Sequence, residues 1–252
     1  MANERLREAM LKTGLSTYEL AEKLDVNPKT AERWVTFDRA PYPRHRHAIA
    51  AIVQEREAYL WPKAVSAERA TRIADSELVH VYPRRAAVPL DLWGRLITQA
   101  TKEIGVLVYA GLFLPEQVPT IIKDLTAKAQ AGVRVRILLG DPDSEAVAAR
   151  GAEEGIGHAM AGKVHNVLAF YNQLRGVEGV FARFHGTTLY NSIYRFDNEL
   201  LVNTHAYGFP AAHAPVLHLR RLSAGELFDT YADSFDRVWS SGHPIWAPTV
   251  AA

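Results

Sequence analysis

The chain has no cysteine among its 252 residues. That excludes disulfides, thiolate metal sites and a cysteine nucleophile, and it fits a reducing compartment. Long apolar runs are missing too. No stretch approaches the roughly 20 residues that cross a bilayer, and the opening MANERLREAM is charged and helical in pattern, unlike a signal peptide. A charge excess is also absent, the formal net charge being +1. Together these absences predict a soluble cytoplasmic protein with no membrane partner. What is present is ordinary for a globular chain, 48% apolar and 23% charged residues. The length suits a small head and a larger body with its own core.

The near-zero charge conceals a local excess. Residues 1–63 carry 11 Lys and Arg against 9 Asp and Glu. Within Asn27–His47 the balance is 5 against 2, with His45 and His47 in addition. A polyanion responds to that local concentration rather than to the sum.

The same region holds the sharpest local pattern, STYELAEKLDVNPKTAERWV, from Ser16 to Val35. Ser16 and Glu19 form a capping box with Leu15 and Leu20 at the staple positions. A helix is therefore expected from Thr17, burying Leu20, Ala21 and Leu24. Asp25-Val26 makes a turn. Asn27 is the expected N-cap of a second helix and Pro28 its first residue. Ala31, Trp34 and Val35 then face inward, leaving Lys29, Thr30 and Arg33 outward, with Lys29 and Arg33 one turn apart. Pro41 and Pro43 preclude regular helix until about Arg44, after which His47–Leu60 resumes one. Arg39, Arg44 and Arg46 stand beside the second helix, either as phosphate clamps or as plain surface charge. Residues 64–76 have no strong period and read as a linker between a head, 1–63, and a body, 77–252.

From Glu77 the grammar changes to alternating strands and helices. The expected order is strand Leu78–Tyr82, helix Pro89–Ile104 stopped by Gly105, strand Val106–Ala110, helix Pro115–Ala131, and strand Val133–Leu139 with Arg134 and Arg136 outward. This is a β-α-β-α-β run with a mainly parallel, mixed sheet. Gly140–Ser144 lies where a strand ends, the side on which such sheets bind ligands. Asp141 and Asp143 there suit a ligand; equally, Asp143 or Ser144 suits a helix N-cap. Further strands follow near 179–185, 188–196 and 199–204, with Asp197-Asn198 as a hairpin turn. Ser223 and Glu226 form a second capping box before a last helix. Asp141, His185, Tyr190, Ser192, Asp197, Asn203 and His205 form a candidate ligand-binding set. The alternative for each is a turn former or a satisfied structural side chain. His213 and His218 lack partners at metal-ligand spacing, so no metal is assigned, and no cofactor is expected.

The stretch 16–35 resembles the helix-turn-helix of phage-repressor-like, Xre-type regulators, with Asp25 standing where that family usually has glycine. The resemblance covers about 60 residues. It implies that Asn27, Lys29, Thr30 and Arg33 meet the major groove, within a DNA-contacting set of Thr17, Asn27, Lys29, Thr30, Arg33, Arg39, Arg44 and Arg46. In the body, ATKEIGVLVYAGLF followed by IIKDLTAKAQAGVRVRILLGD is similar to one half of a phospholipase D-like domain. That superfamily's signature, histidine, lysine two later and aspartate five beyond, is missing in either register. Set on Asp197 the places hold Tyr190 and Ser192; set on His185 they hold Thr187 and Ser192. The whole chain thus resembles actinobacterial regulators that join an Xre-type head to a degenerate phospholipase D-like domain.

The expected fold is an all-α helix-turn-helix head on an α/β body. The expected function is sequence-specific transcription regulation without catalysis, by a homodimer on a palindromic double-stranded operator, near the nucleoid, with a small polar or phosphorylated compound as candidate ligand. The alternatives are a nuclease or phosphodiesterase targeted by the head, and an architectural DNA-binding protein that docks a partner.

Overall fold

The structure is a computed structural model that describes residues 3–37, 39–62, 64, 76–223 and 225–246. Nearly all of the expected linker 64–76 lies outside the described residues. The chain divides into two compact units, Met1–Glu77 with Leu222–Glu226, and Leu78–Arg221 with Leu227–Ala252.

The first unit is helical. Among the described residues up to Ala64 its helices are α1 (Glu4–Lys12), α2 (Thr17–Lys23), α3 (Pro28–Thr36), α4 (Pro43–Val53) and the short α5 (Glu57–Leu60). The Ser16/Glu19 capping box forms as expected, and Asn27 caps α3 with Pro28 at its first turn. Asp25 between them adopts φ +50°, a left-handed conformation that aspartate tolerates better than most residues. Leu6, Leu20, Ala21, Ala31, Trp34, Ile49 and Leu60 are buried together. Asn3 ties the ends of the unit: its backbone N–H donates to Val35 and its Nδ2 to Leu60. The helix expected over His47–Leu60 is instead two. It starts four residues early, because Pro43 is well suited to a first helical position, and it stops at Gln54, where φ reaches +56°.

The second unit is built on an eight-stranded sheet, ordered β1 (Leu78–Tyr82), β7 (Val216–Arg220), β6 (Glu199–Thr204), β5 (Asn191–Phe196), β2 (Glu103–Val108), β3 (Arg134–Gly140), β4 (Val180–His185) and β8 (His243–Pro244). The expected mainly parallel sheet is overturned. Only β2–β3 and β3–β4 are parallel; every other pairing is antiparallel. Strands β5, β6 and β7 form an antiparallel meander that joins the sheet on β2, and β1 leaves the predicted β-α-β run to pair with β7 at the far edge, so the parallel run is confined to β2, β3 and β4.

Helices α6 (Leu90–Gln99), α7 (Phe113–Gln117), α8 (Ile121–Gln130), α9 (Glu145–Glu153), α10 (Ala159–Tyr171) and α11 (Leu227–Ser241) complete the unit. Helix α6 ends at Gln99, not Ile104. The Asp197 carboxylate at the β5–β6 turn accepts the N–H groups of Thr101, Lys102 and Glu103, which starts β2 early. Gly105 is therefore no helix stop. It lies inside β2, where an added Cβ would come 2.9 Å from the Phe235 ring of α11. The same helix corrects Arg136: it is buried under Phe235 and Trp239, while Arg134 is exposed. Helix α11 starts at Leu227, later than a capping box at Ser223 would place it.

Candidate nucleic-acid interface and body cavity

In the helical unit, α3 presents Lys29 and Arg33 to solvent, with Thr30 half-buried. Asn27 is exposed; its Oδ1 accepts the Lys29 N–H at 2.9 Å. Thr17, the first residue of α2, is half-buried. The loop after α3 folds back beside it and encloses a groove of about 410 Å³ lined by Thr30, Arg33, Arg39, Tyr42, Arg44 and His45, among others. Among the described residues no carboxylate lines it. Arg44 Nε–H donates to His45 Nε2 at 3.1 Å, and the His45 ring packs on Trp34 with centroids 5.4 Å apart. Three arginines thus line one groove next to the exposed face of α3, an arrangement that attracts phosphate oxygens.

Arg46 is not one of them. Its side chain is 7% exposed and its Nε sits 2.5 Å from Glu57 Oε1, with a further bond to the Pro41 carbonyl. Helical spacing accounts for this. Ile49 and Ala50 follow Arg46 by three and four positions, so the three share one face, and on α4 that face is buried. His45 and Tyr42, which line the groove, carry no distinguishing local pattern beyond the prolines flanking Tyr42.

In the sheet unit, the predicted ligand residues do not form one site. Ser192, at the start of β5, and His205, just past β6, do meet. The His205 Nδ1–H donates to the Leu189 carbonyl at 3.1 Å, so its Nε2 accepts the Ser192 hydroxyl at 3.0 Å. The Tyr109 ring stacks on His205 with centroids 5.7 Å apart, and its hydroxyl accepts the Leu189 N–H. Asp197 is at the other end of β5, roughly 17 Å away at about 3.4 Å per residue, and works as the cap described above. Burial raises its pKa, but the N–H groups of Thr101, Glu103 and Lys102 prevail and lower it.

Asn203 is buried and donates to the Ala214 and Pro215 carbonyls. Tyr190 is 81% exposed. His185 is buried, donating from Nε2 to the Val108 carbonyl while its Nδ1 accepts the Thr187 N–H. Asp141 shapes its own turn by accepting the Asp143 N–H, and Ser144 is the N-cap of α9.

Ser192 and His205 line a cavity of about 210 Å³ with residues from distant elements, chiefly Arg85, Phe113, Arg150, Lys163 and Tyr194. It opens by the ends of β2 and β6, beside the junction where the parallel strands give way to the antiparallel ones. Tyr194, Phe113 and Trp93 pack edge to face, and Arg85 stacks on Phe113 at 4.0 Å. Arg150 is spent on Glu153, Glu154 and the Phe209 carbonyl. Burial pushes the Tyr194 hydroxyl up to about 12, against the pull of nearby Arg85 and Ser192.

Burial, helped by the charges of Arg150 and Arg85, pushes His205 down to about 4. The unfolded imidazole takes up its proton near 6.5. Stability from neutral His205 is therefore complete above pH about 6.5 and is lost as pH falls toward about 4. His185 and His218 are lowered by burial in the same direction. Urea unfolding at pH 7 and pH 4.5 is expected to show a loss on the order of 2–3 kcal/mol from this residue. A His205→Gln variant is expected to reduce the pH dependence; an unchanged slope would contradict the burial argument.

No protein-family model and no curated relative matches the chain. Among solved structures it is similar to TrmBL2, an archaeal chromatin protein whose structure shows a novel mode of DNA binding. That match has 15% identity and a TM-score of 0.40, covering 78% of this chain and 71% of that one. It is also similar to Nuc from Salmonella typhimurium, a phospholipase D family member, at 16% identity and a TM-score of 0.36, covering 62% and 90%. Among the described residues no helix is long and apolar enough to cross a membrane.

Proposed function

We propose that this protein is a sequence-specific DNA-binding transcription regulator. The α2–turn–α3 segment acts as a helix-turn-helix of the Xre type, and the sheet unit is a non-catalytic, phospholipase D-like regulatory domain. The observation that carries the reading is the groove that Arg33, Arg39 and Arg44 line with Thr30, next to the helix that exposes Lys29. Helix α3 enters the major groove while Arg39 in the loop and Arg44 at the start of α4 hold the flanking phosphates. A homodimer on a palindromic operator follows from a head that covers only a half-site.

Gel shifts across a salt series test this. The expected result is affinity that falls steeply with salt yet retains preference for one sequence. Steep salt dependence with no sequence preference would remove the regulator reading. Arg33→Ala is expected to weaken operator binding by about 1–3 kcal/mol if it reads a guanine. Equal loss on operator and random DNA would make it a phosphate contact instead.

A hydrolase reading draws on the Ser192–His205 contact at 3.0 Å. Against it, an imidazole pushed down to about 4 is a weak base, and its Nδ1 partner is a carbonyl rather than a carboxylate. Turnover of nucleic acid or model phosphodiesters that is lost in His205→Ala would favour it.

A further inference from the structure

The cavity of about 210 Å³ has a chemistry that its own side chains leave incomplete. Tyr194 is 1% exposed and lines the cavity; Arg85 and Ser192 stand close enough to pull on its hydroxyl, yet neither reaches it in hydrogen-bonding geometry. Native structures seldom leave a buried hydroxyl without a partner, so each such group asks for an explanation. Two cations, Arg85 and Lys163, line the same cavity. Neither Arg85 nor Lys163 has an ion-pair partner among the described residues, in contrast to Arg150, which Glu153 and Glu154 neutralise. Val108, Phe113 and Met160 give the cavity an apolar stretch of wall.

We propose that this cavity binds a small organic carboxylate. Its oxygens accept from the Tyr194 hydroxyl and the Arg85 guanidinium, and its apolar body lies against Val108, Phe113 and Met160. A volume below the roughly 300–1,000 Å³ of ordinary small-molecule pockets limits the ligand to about ten non-hydrogen atoms. Glu116 and Glu154 also line the cavity, so a single negative charge matches the surroundings better than a dianion does. The proposal names a ligand for the regulatory unit inferred above, but its test needs no DNA, so either can fail without the other.

Calorimetric titration of the full chain with benzoate, benzamide and inorganic phosphate is the experiment. Benzoate is expected to bind, and benzamide to bind at least about tenfold more weakly, as loss of a charge-assisted hydrogen bond implies. Tyr194→Phe keeps the packing on Trp93 and Phe113, and it is expected to weaken benzoate about tenfold without lowering the Tm of the free protein. Arg85→Gln is expected to weaken benzoate as well. No benzoate binding, or binding unchanged in both variants, would overturn the site. Phosphate binding as tightly as benzoate would overturn the carboxylate assignment.

Discussion

Glu57→Ala is expected to destabilise the helical unit by about 3–5 kcal/mol, because it strands a buried guanidinium. Arg46 and Glu57 are 7% and 5% exposed, and one Arg46 nitrogen is already buried without a partner. A unit of this size has little stability to spare. Denaturant unfolding should therefore show it melting early, with DNA binding lost alongside. Replacing the pair together, as Arg46→Met with Glu57→Leu, is expected to restore most of the loss. The outcome also separates two roles for Arg46. A phosphate clamp freed from its carboxylate would leave stability unchanged and tighten DNA binding.

The second large effect is expected at Glu103. Its carboxylate meets Arg136 at 2.5 Å, Arg195 at 3.4 Å and Arg134 at 3.5 Å, beneath α11. Asp236 shares Arg136 at 2.7 Å and Arg195 at 3.6 Å but is itself 49% exposed. Glu103→Ala leaves two enclosed guanidinium groups facing one half-exposed acid, and it is expected to cost about 3–5 kcal/mol in urea unfolding of the sheet unit. Glu103→Gln keeps the shape and removes only the charge. If either variant lost less than about 1 kcal/mol, the size of an ordinary surface pair, Asp236 alone would be balancing the cluster.

What can be read from the sequence is local. The capping box at Ser16 and Glu19, Pro28 at the start of α3 and the left-handed turn at Asp25 all depend on residues within four positions of each other, and all are present in the structure. Strand partners are chosen by distant chain, and there local pattern is silent. Nothing in Leu78–Tyr82 announces that it pairs with Val216–Arg220 rather than with its neighbour in sequence. Along β3, Arg136 looks solvent-facing until α11, some hundred residues on, turns that face into an interior. Arg46 is a mixed case: its spacing from Ile49 and Ala50 marks a buried face, but its partner acid, Glu57, lies on the next helix. The body cavity is half legible. Ser192 and His205 stand in the candidate set, whereas Arg85, Lys163 and Tyr194 come from separate elements with no common motif.

The Asp197 cap has a kinetic side. Its bonds to Thr101, Lys102 and Glu103 span 94 to 96 residues, so the corner between α6 and β2 cannot be finished by the chain around it. During synthesis, the end of α6 has no such cap until the β5–β6 hairpin has been made and has docked. Contacts of that sequence separation slow folding, because the closure entropy must be met before they contribute. Completion of the sheet therefore waits on its antiparallel half, and the parallel half keeps β2 as an open edge until that half arrives.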